Sequence, residues 1–569
     1  MTLFSSLSVG ASAINVNQLA LSVVGNNIAN AGTEGYVRED LKVGTLDSTR
    51  YGTLNIGSGA TATSTQQQID RFLRERSREA DSSFAAADAR ATLYDRVQAV
   101  FNELGDKDLS SAVSSFFSSI QNLSNRPDDP TLRDVVFRKG YDVAGQIKYI
   151  QSRLDDISRD ISSEVSQSAE EVNSTLKDIR DLNRQIVAAE AGSPSDAGAL
   201  RSQRDQQLSK LSNLIPIQAR TQADGSVNVL VDGDFLLFNG TIQEVTALDE
   251  SSAGIPSKVL AIKNSQWPIP TDQGRLGGIQ DFRDGDLGAI TAQINSIAKT
   301  LIYEFNKIHS SGQGLEKFTS LEGTYRTLSA SATLNSPAAA LDFSPKNGSF
   351  DINVTDIATG QNRIYKIDVD LDGVGTDDSL NSVINRINTV AFGGQAVASV
   401  TNQGRVAFNA PAGQSFQFGN DTSGFLASFG LNTFFTGDTS RNISLNEGVV
   451  GDFRFLATSQ NGLPGNNQNV LALAQLSQKT FAGLNGLSID QSLTGIVQNL
   501  ATSGSQLNNA KAVLETTKDT LKSKDLAITG VDINEEAVKL IKFQRAFQAS
   551  AKYLTTINDL LNDVINILR

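Results

Sequence analysis

The sequence predicts a multidomain α+β protein. Both chain ends form coiled-coil helices and a long helical bundle, and β-rich domains are inserted in the middle. Apolar residues repeat at heptad spacing near both ends, whereas the middle shows the period of two that is typical of strands. With 569 residues, the chain is long enough for three or four domains. We expect a terminal coiled coil (1–60 and 526–569), a helical bundle with a β-hairpin region (61–320 and 451–525) and a β-rich outer domain (321–450).

The two ends of the chain carry matching apolar stripes. The first charged side chain is Glu34, and the uncharged segment before it contains the heptad Leu7, Ile14, Leu21 and Ile28. The C-terminal segment contains a longer heptad with a second seam beside it: Ile533, Leu540, Phe547, Leu554, Leu561 and Leu568, with Phe543, Ile557 and Val564. Two amphipathic helices without a local core need partners, which can be each other or neighbouring copies of the chain.

Long helices are also predicted between the two ends. Pro130 is well placed as the first residue of a helix that continues to about residue 191. Apolar residues follow it in steps of three and four, which indicates a coiled-coil hairpin or bundle: Val143, Ile147, Ile150, Leu154, Ile157, Ile161, Val165, Val172, Leu176, Ile179 and Ile186. A further helix is expected over 290–308, and helical periodicity returns from about 470 to the end, with breaks near 485–486 and 529–530.

The middle of the chain is predicted to form strands. Asp224-Gly225 and Asp232-Gly233 supply hairpin turns within the period-two region 215–279. A second β-rich region, 321–450, contains one short helix at about 380–387.

Composition excludes several classes of function. The net charge is −13, so the chain is a poor ligand for nucleic acid or an anionic membrane. Cysteine is absent and His309 is the single histidine, which excludes thiol catalysis and multi-histidine metal sites within one chain. Because His309 falls in the last turn of a predicted helix, we expect it to have a capping or packing role. We therefore predict no enzyme activity, no catalytic residue, no cofactor and no metal.

The N-terminal segment does not read as a signal peptide. Arg38 is the first basic residue, so a positively charged n-region is missing. Continuous apolar stretches such as 19–24 are too short to span a bilayer, and we expect no membrane insertion. These rules alone would place the protein in the cytoplasm, although specialised export systems read other signals.

The acidic segment 368–373 resembles the start of a calcium loop. It has carboxylates at positions one, three and five and glycine at position six, but the twelfth position is Ser379 instead of a bidentate glutamate. A strand-to-helix turn explains the segment better, with Asp377 or Asp378 near the N-cap of the short helix.

Two terminal motifs resemble a known family. The first is Asn26-Asn27-Ile28-Ala29-Asn30-x-x-Thr33-x-Gly35-Tyr36-x-Arg38, and it is similar to the N-terminal signature of bacterial flagellar rod, hook and hook-associated proteins. Glu34 and Gly32 differ from the residues common in that signature. The second motif resembles the family's C-terminal helix and comprises Ala537, Phe543, Gln544, Ala546, Ala549, Tyr553 and Leu554. Internally, 201–211, 277–284 and 306–312 resemble the hook-associated members at the hook–filament junction, and 356–435 resembles a β module of flagellins and hook-associated proteins.

The resemblance implies a structural protein of the extracellular flagellum that joins hook to filament. It implies terminal helices that line an inner tube, β domains that face outward, and export through the flagellar type III apparatus without a cleaved signal. The implied partners are other copies of the chain, the hook protein, a second junction protein on the filament side, and an export chaperone at the C-terminal helix. The expected assembly interface comprises Leu7, Ile14, Leu21, Asn27, Ile28, Asn30, Thr33, Gly35, Tyr36, Leu540, Phe543, Phe547, Leu554, Ile557, Leu561 and Val564.

One alternative function stays open. A secreted axial-type protein could carry an adhesin or a carboxylate-based hydrolase in its central β module. Against it, Asp and Glu in that module read as turn residues, and Trp267, the single tryptophan, lies outside the module.

Overall fold

The computed structural model describes residues 3–51, 53–102, 108–252 and 255–567. Its helices are α1 (Leu3–Ala29), α2 (Arg71–Asn102), α3 (Leu109–Asn125), α4 (Pro130–Glu190), α5 (Gly198–Leu214), α6 (Gly274–Asp281), α7 (Gly288–Ser310), α8 (Leu380–Phe392), α9 (Phe425–Ser428), α10 (Glu447–Val450), α11 (Gln468–Gln475), α12 (Ile489–Thr529) and α13 (Ile533–Ile567). The predicted multidomain α+β fold class is confirmed: long helices come from both ends of the chain, and the strands lie between them.

The strands form small antiparallel sheets. They are β1 (Glu39–Thr45), β2 (Thr49–Tyr51), β3 (Leu54–Ile56), β4 (Ala60–Gln67), β5 (Gln218–Thr221), β6 (Val227–Val231), β7 (Asp234–Phe238), β8 (Thr241–Ile242), β9 (Val245–Ser252), β10 (Ile255–Ile262), β11 (Trp267–Pro268), β12 (Ser320–Arg326), β13 (Gly348–Asp356), β14 (Asn362–Val369), β15 (Ala398–Val400), β16 (Arg405–Asn409), β17 (Gln414–Gly419), β18 (Phe435–Thr436) and β19 (Ser444–Leu445). The sheet orders are β1-β4, β2-β3, β5-β6-β7-β8, β11-β10-β9, β12-β16-β15, β14-β13-β17 and β18-β19.

Local sequence signals explain several boundaries. Pro130 opens α4, and the carboxylate of Asp129 accepts a hydrogen bond from Thr131 N at 2.9 Å. The predicted turn at Asp232-Gly233 joins β6 to β7, and both residues have the positive φ that such a turn requires. The apolar seam predicted for α4 is buried at all of its positions from Val143 to Ile186.

The chain folds as two compact units. The first unit comprises 1–93, 158–284 and 504–569, and the second comprises 94–157 and 285–503. In the first unit, Asn183 on α4 donates to Val227 O at 2.8 Å and accepts from Val227 N at 3.1 Å, which fixes β6 against the helix. Arg204 on α5 donates to the same Asn183 side chain at 3.0 Å. Helices α1 and α13 pair with each other within this unit.

The second unit has an aromatic and aliphatic core. Phe116 on α3 and Phe305 on α7 lie 5.3 Å apart, and both contact Phe434 and Phe435. Beside this cluster, the sheets β14-β13-β17 and β12-β16-β15 share a core with α8. The β-rich segment 321–450 therefore belongs to the same compact unit as 94–157 and 451–503.

Candidate assembly interface

Helices α1 and α13 form an antiparallel pair. Gly10 lies beside Leu554 near one end of the pair, and Asn27 contacts Glu536 near the other end. The side of α13 that faces α1 repeats in steps of four and three, and its members are all buried or half-buried: Glu536, Leu540, Phe543, Phe547, Ser550, Leu554, Ile557 and Leu561. Six of these eight residues are those that the heptad pattern placed at the interface. The two terminal helices therefore pack against each other within one chain.

The most deeply buried positions of α1 are not those of the predicted heptad. The heptad residues Leu7, Ile14, Leu21 and Ile28 are only half-buried. The fully buried positions are mostly small: Ser6, Gly10, Val16, Ala20, Val24 and Asn27. A Cβ atom on Gly10 would lie 3.1 Å from Tyr553 Cδ1, so the helices approach each other more closely than larger side chains would allow. The heptad residues are half-buried, as most inward residues of α13 are, and α1 also packs against β1 and β4.

Two residues of the predicted C-terminal seam are exposed. Val564 is 40% exposed and lies three residues beyond Leu561, the last half-buried residue on the inward side of α13. Ile533 is 58% exposed, since Glu536 takes the first inward position of α13. Leu568 lies outside the described residues.

A buried polar cluster joins the two helices at the end marked by Asn27. The Asn27 Nδ2 atom donates to Glu39 O at 2.9 Å and to Glu536 Oε2 at 3.0 Å. The Asn27 Oδ1 atom accepts from Tyr36 OH at 2.9 Å and from Glu39 N at 3.0 Å. All four hydrogen-bonding positions of this amide are thus filled. The Glu536 carboxylate is neutralised by Lys539, whose Nζ donates to Glu536 Oε1 at 2.7 Å.

The cluster has a defined electrostatic character. Burial, together with the nearby carboxylates of Glu39 and Glu536, raises the pKa of Tyr36 to about 12. Burial also raises the pKa of Glu39. At the edge of the cluster, Arg38 donates to Glu535 Oε2 at 3.0 Å in a pair whose glutamate is largely exposed. Tyr36 therefore remains a neutral hydrogen-bond donor at any physiological pH.

The remaining motif residues build the turn that follows α1. Asn30 Nδ2 donates to Asn26 O at 3.0 Å, and Tyr36 N donates to Thr33 O at 3.2 Å. Gly35 has φ +74°, and a Cβ atom there would collide with the side chain of Gln206, so the position favours glycine strongly. Gln206 on α5 donates to Glu34 O at 2.7 Å and fixes the turn. The structure thus gives this motif an intrachain role that the sequence prediction did not contain.

The outer side of the helix pair carries exposed apolar residues. They are Phe4 and Leu19 on α1, and Val538, Ile541, Leu560 and Ile567 on α13. We call this set the outer apolar face. Single exposed apolar residues are ordinary, but several along one pair of helices are typical of a surface that another protein covers.

Helix α1 meets the length and composition of a membrane span. It has 27 residues without a charged side chain, and it is long and apolar enough to cross a bilayer. The sequence expectation considered only continuous apolar stretches and so missed this property of the whole helix. The criterion is weak for one helix near the N-terminus, since core helices and signal sequences meet it too. Here the helix packs against α13.

His309 has the packing role that the sequence predicts. It is fully buried at the end of α7, its Nδ1 lies 2.8 Å from Asn432 O, and its Nε2 accepts from Ala457 N at 3.1 Å. Because a carbonyl only accepts and an amide N–H only donates, the proton is on Nδ1. Burial, assisted by the charge of Arg133, lowers the pKa of His309 to about 4.

The acidic loop turns from β14 into α8. As predicted, Asp378 lies near the N-cap of α8: the N-cap is the next residue, Ser379, which forms a capping box with Ser382. Asp378 is buried and accepts from Arg386 Nη1 at 2.6 Å, which lowers the pKa of this carboxyl despite its burial. The carboxylates of Asp370, Asp372 and Asp377 lie within 4.8 Å of one another. Such exposed acidic groups are common in loops without a metal, and the absence of calcium binding stays a prediction.

Two buried carboxylates of the central β module, the region of the alternative function, have structural partners. Asp421 accepts hydrogen bonds from Ser423 N, Gly424 N and Leu426 N, which hold the start of α9. Asp378 is paired with Arg386, as described above. Neither carboxylate is arranged as an acid or a nucleophile facing an open cleft.

Sequence reasoning missed the polar half of the interface. Glu536, Glu39 and Lys539 were not predicted as site residues, although they complete the cluster around Asn27. One signal could have found Glu536, because it lies four residues before Leu540 and so continues the inward stripe of α13. The pairing of Glu39 with Asn27 depends on the fold of the intervening turn and has no such signal.

Comparisons with known proteins agree along the chain. The family described as "Flagellar hook-associated protein FlgK helical domain" matches residues 94–321. The "Flagella basal body rod protein" family matches 7–36, and the "Flagellar basal body rod FlgEFG protein C-terminal" family matches 525–567. The last two matches cover the two helices of the interface.

Full-length relatives carry one name. "Flagellar hook-associated protein 1" of Escherichia coli is 24% identical, with 98% of each chain covered. The proteins of the same name in Salmonella typhimurium and Bacillus subtilis are 25% and 24% identical, with at least 98% of each chain covered. The solved structure of "the flagellar hook junction protein FlgK from Burkholderia pseudomallei" aligns with a TM-score of 0.50 and 14% identity, and covers 80% of this chain and 100% of that one. This structural likeness supports the fold alone.

Proposed function

Because this chain is a hook-associated structural component of the bacterial flagellum, we propose that it is the adaptor that joins the hook to the filament. The names of the full-length relatives favour this position along the flagellum. In this role the chain presents one surface to the hook and a different surface to the filament side. It performs no catalysis, and its work is the packing of subunits.

The outer apolar face is the observation that carries the proposal. A helix pair that is already closed within one chain still exposes Ile541, Leu560 and Ile567. Burial of these side chains against neighbouring copies would remove apolar surface from water, which stabilises the contact by about 25 cal/mol per Å². A heterologous contact of this kind repeats from subunit to subunit and produces a ring or a helical layer.

The proposed partners are those that the resemblance to flagellar axial proteins implies. We propose that the terminal helices contact other copies of the chain, the hook protein on one side, and a second junction protein on the filament side. Before assembly, an export chaperone covers the C-terminal helix α13. The chain leaves the cell through the flagellar export apparatus without a cleaved signal peptide, and α1 then packs in the assembled tube instead of in a membrane.

A charge on the outer apolar face tests the proposal. Ile541→Glu with Leu560→Glu places two carboxylates where neighbouring subunits would bury apolar side chains, and each unpaired buried charge costs several kcal/mol. Since both residues are exposed in the single chain, the variant should fold normally. We expect bacteria that depend on it to build hooks, to release filament subunits into the medium and to swim poorly.

A matched control separates the apolar surface from added charge. Gln548→Glu with Asn558→Asp adds the same two charges to exposed positions of α13 without removing apolar surface. This control should support normal filaments. Secretion of both variants must be measured, because the chaperone reads the same helix. If the Ile541 and Leu560 variant is exported and still supports full-length filaments, the outer apolar face is not the assembly surface.

A further inference from the structure

The apolar contact between α1 and α13 does little to fix their register, that is, which residues of one helix lie opposite which residues of the other. The fully buried positions of α1 are mostly small and include Gly10, which lies against Tyr553 and Leu554 of α13. The facing side of α13 repeats every seven residues, with Phe547, Leu554 and Leu561 at equivalent positions. A slip of α1 by one heptad would therefore meet a similar apolar surface.

A buried polar contact between the two helices is formed by Asn27 and Glu536. Both residues are fully buried, and Asn27 Nδ2 donates to Glu536 Oε2 at 3.0 Å. A slip in one direction would place Asn27 against Phe543, and a slip in the other would place the Glu536 carboxylate against Ala20. In either case a buried polar group loses its partner. Buried polar pairs of this kind fix register in coiled coils at some cost in stability.

We propose that the buried Asn27–Glu536 pair sets the register in which α1 and α13 associate. Register decides which residues of the two helices lie side by side on the outer apolar face. The inference thus deepens the proposed function and rests on it only where assembly is concerned. Glu536 acts as a positioning residue, and Lys539 balances its charge at 2.7 Å.

The absence of cysteine makes register measurable in the full-length chain. A Cβ atom on Gly10 would lie 3.5 Å from Leu554 Cβ, which is within the range of a disulfide. Gly10→Cys with Leu554→Cys should therefore form an intrachain disulfide in the native register. Gly10→Cys with Phe547→Cys and Gly10→Cys with Leu561→Cys report slips of one heptad in the two directions.

The test compares two glutamates that are neighbours in sequence. Glu536→Leu removes the buried carboxylate, whereas Glu535→Leu makes the same change at an exposed position that pairs with Arg38. With native Glu536, we expect the 10–554 disulfide and only background yields of the two slipped ones. Glu536→Leu should raise the slipped yields at least about tenfold, and Glu535→Leu should leave them at background.

Two further variants keep the result decisive. Glu536→Gln retains an acceptor for Asn27 and should keep the native register, and Glu536→Ala replaces Glu536→Leu if leucine prevents folding. Slipped disulfides that stay at background in Glu536→Leu or Glu536→Ala would overturn the proposal. The disulfide yields are measured on purified protein and do not depend on the proposed junction role. The junction role is tested separately: it fails if the Ile541→Glu with Leu560→Glu variant is exported and still supports full-length filaments.

Discussion

At the scale of single residues, buried polar groups have structural roles. Arg133 is fully buried and donates to Pro127 O at 2.7 Å and to Leu456 O at 2.8 Å, and burial lowers its pKa to about 10. Next to the segment that it holds, Ala457 N donates to His309. The sequence predicted a packing role for His309 from its place at a helix end, but its two hydrogen-bond partners are more than a hundred residues away along the chain and could not be predicted.

His309 should make stability depend on pH. Its folded-state pKa is about 4, below its ordinary value of 6.5, so the unfolded chain binds the proton first. The neutral His309 ring makes its full contribution to the free energy of unfolding above pH 6.5, and this contribution is lost as the pH falls towards 4. Between pH 7.5 and pH 5 the free energy of unfolding should therefore fall by roughly 2 kcal/mol because of this residue. His309→Gln does not titrate in this range and serves as the reference.

The measurement is thermal unfolding of both proteins at the two pH values. We expect the native chain to be the more stable one at pH 7.5 and its advantage to shrink at pH 5. An equal difference at both pH values would show that His309 is not buried in the neutral form.

At the scale of elements, the heptad pattern predicted the long helices and the inward side of α13. On α1 the heptad residues are half-buried, and the fully buried positions are mostly small residues outside the heptad. The pattern weighs side chains by hydrophobicity, whereas the closest contact between two helices is decided by size, as Gly10 against Tyr553 shows. The motif 26–38 was identified by resemblance, yet the contacts of Asn27 with Glu39 and of Glu34 with Gln206 depend on tertiary structure.

The acidic loop between β14 and α8 should bind no calcium with useful affinity. Three carboxylates converge there, two of them exposed, and Ser379 occupies the twelfth position as the N-cap of α8. Calorimetry with millimolar calcium should give no saturable heat. A stoichiometric signal that Asp370→Ala abolishes would overturn this interpretation of the loop as a turn.

At the scale of the whole molecule, the two sides of the terminal helix pair have different roles. Its inner side holds α1 and α13 together in one chain, and its outer side remains available for other subunits. The sequence expectation left open whether the terminal stripes pair with each other or with neighbouring copies. The structure assigns the inward stripe to the first role, and we propose the outer apolar face for the second.

The position of the chain along an intact flagellum tests the central claim most directly. A short epitope tag in the exposed turn at Gly373 should leave the helix pair undisturbed, since the turn is remote in sequence from both terminal helices. Immunogold electron microscopy of tagged flagella should place the label in one narrow band between hook and filament. Label along the whole filament, or confined to the rod, would contradict the account of this chain as the adaptor between hook and filament.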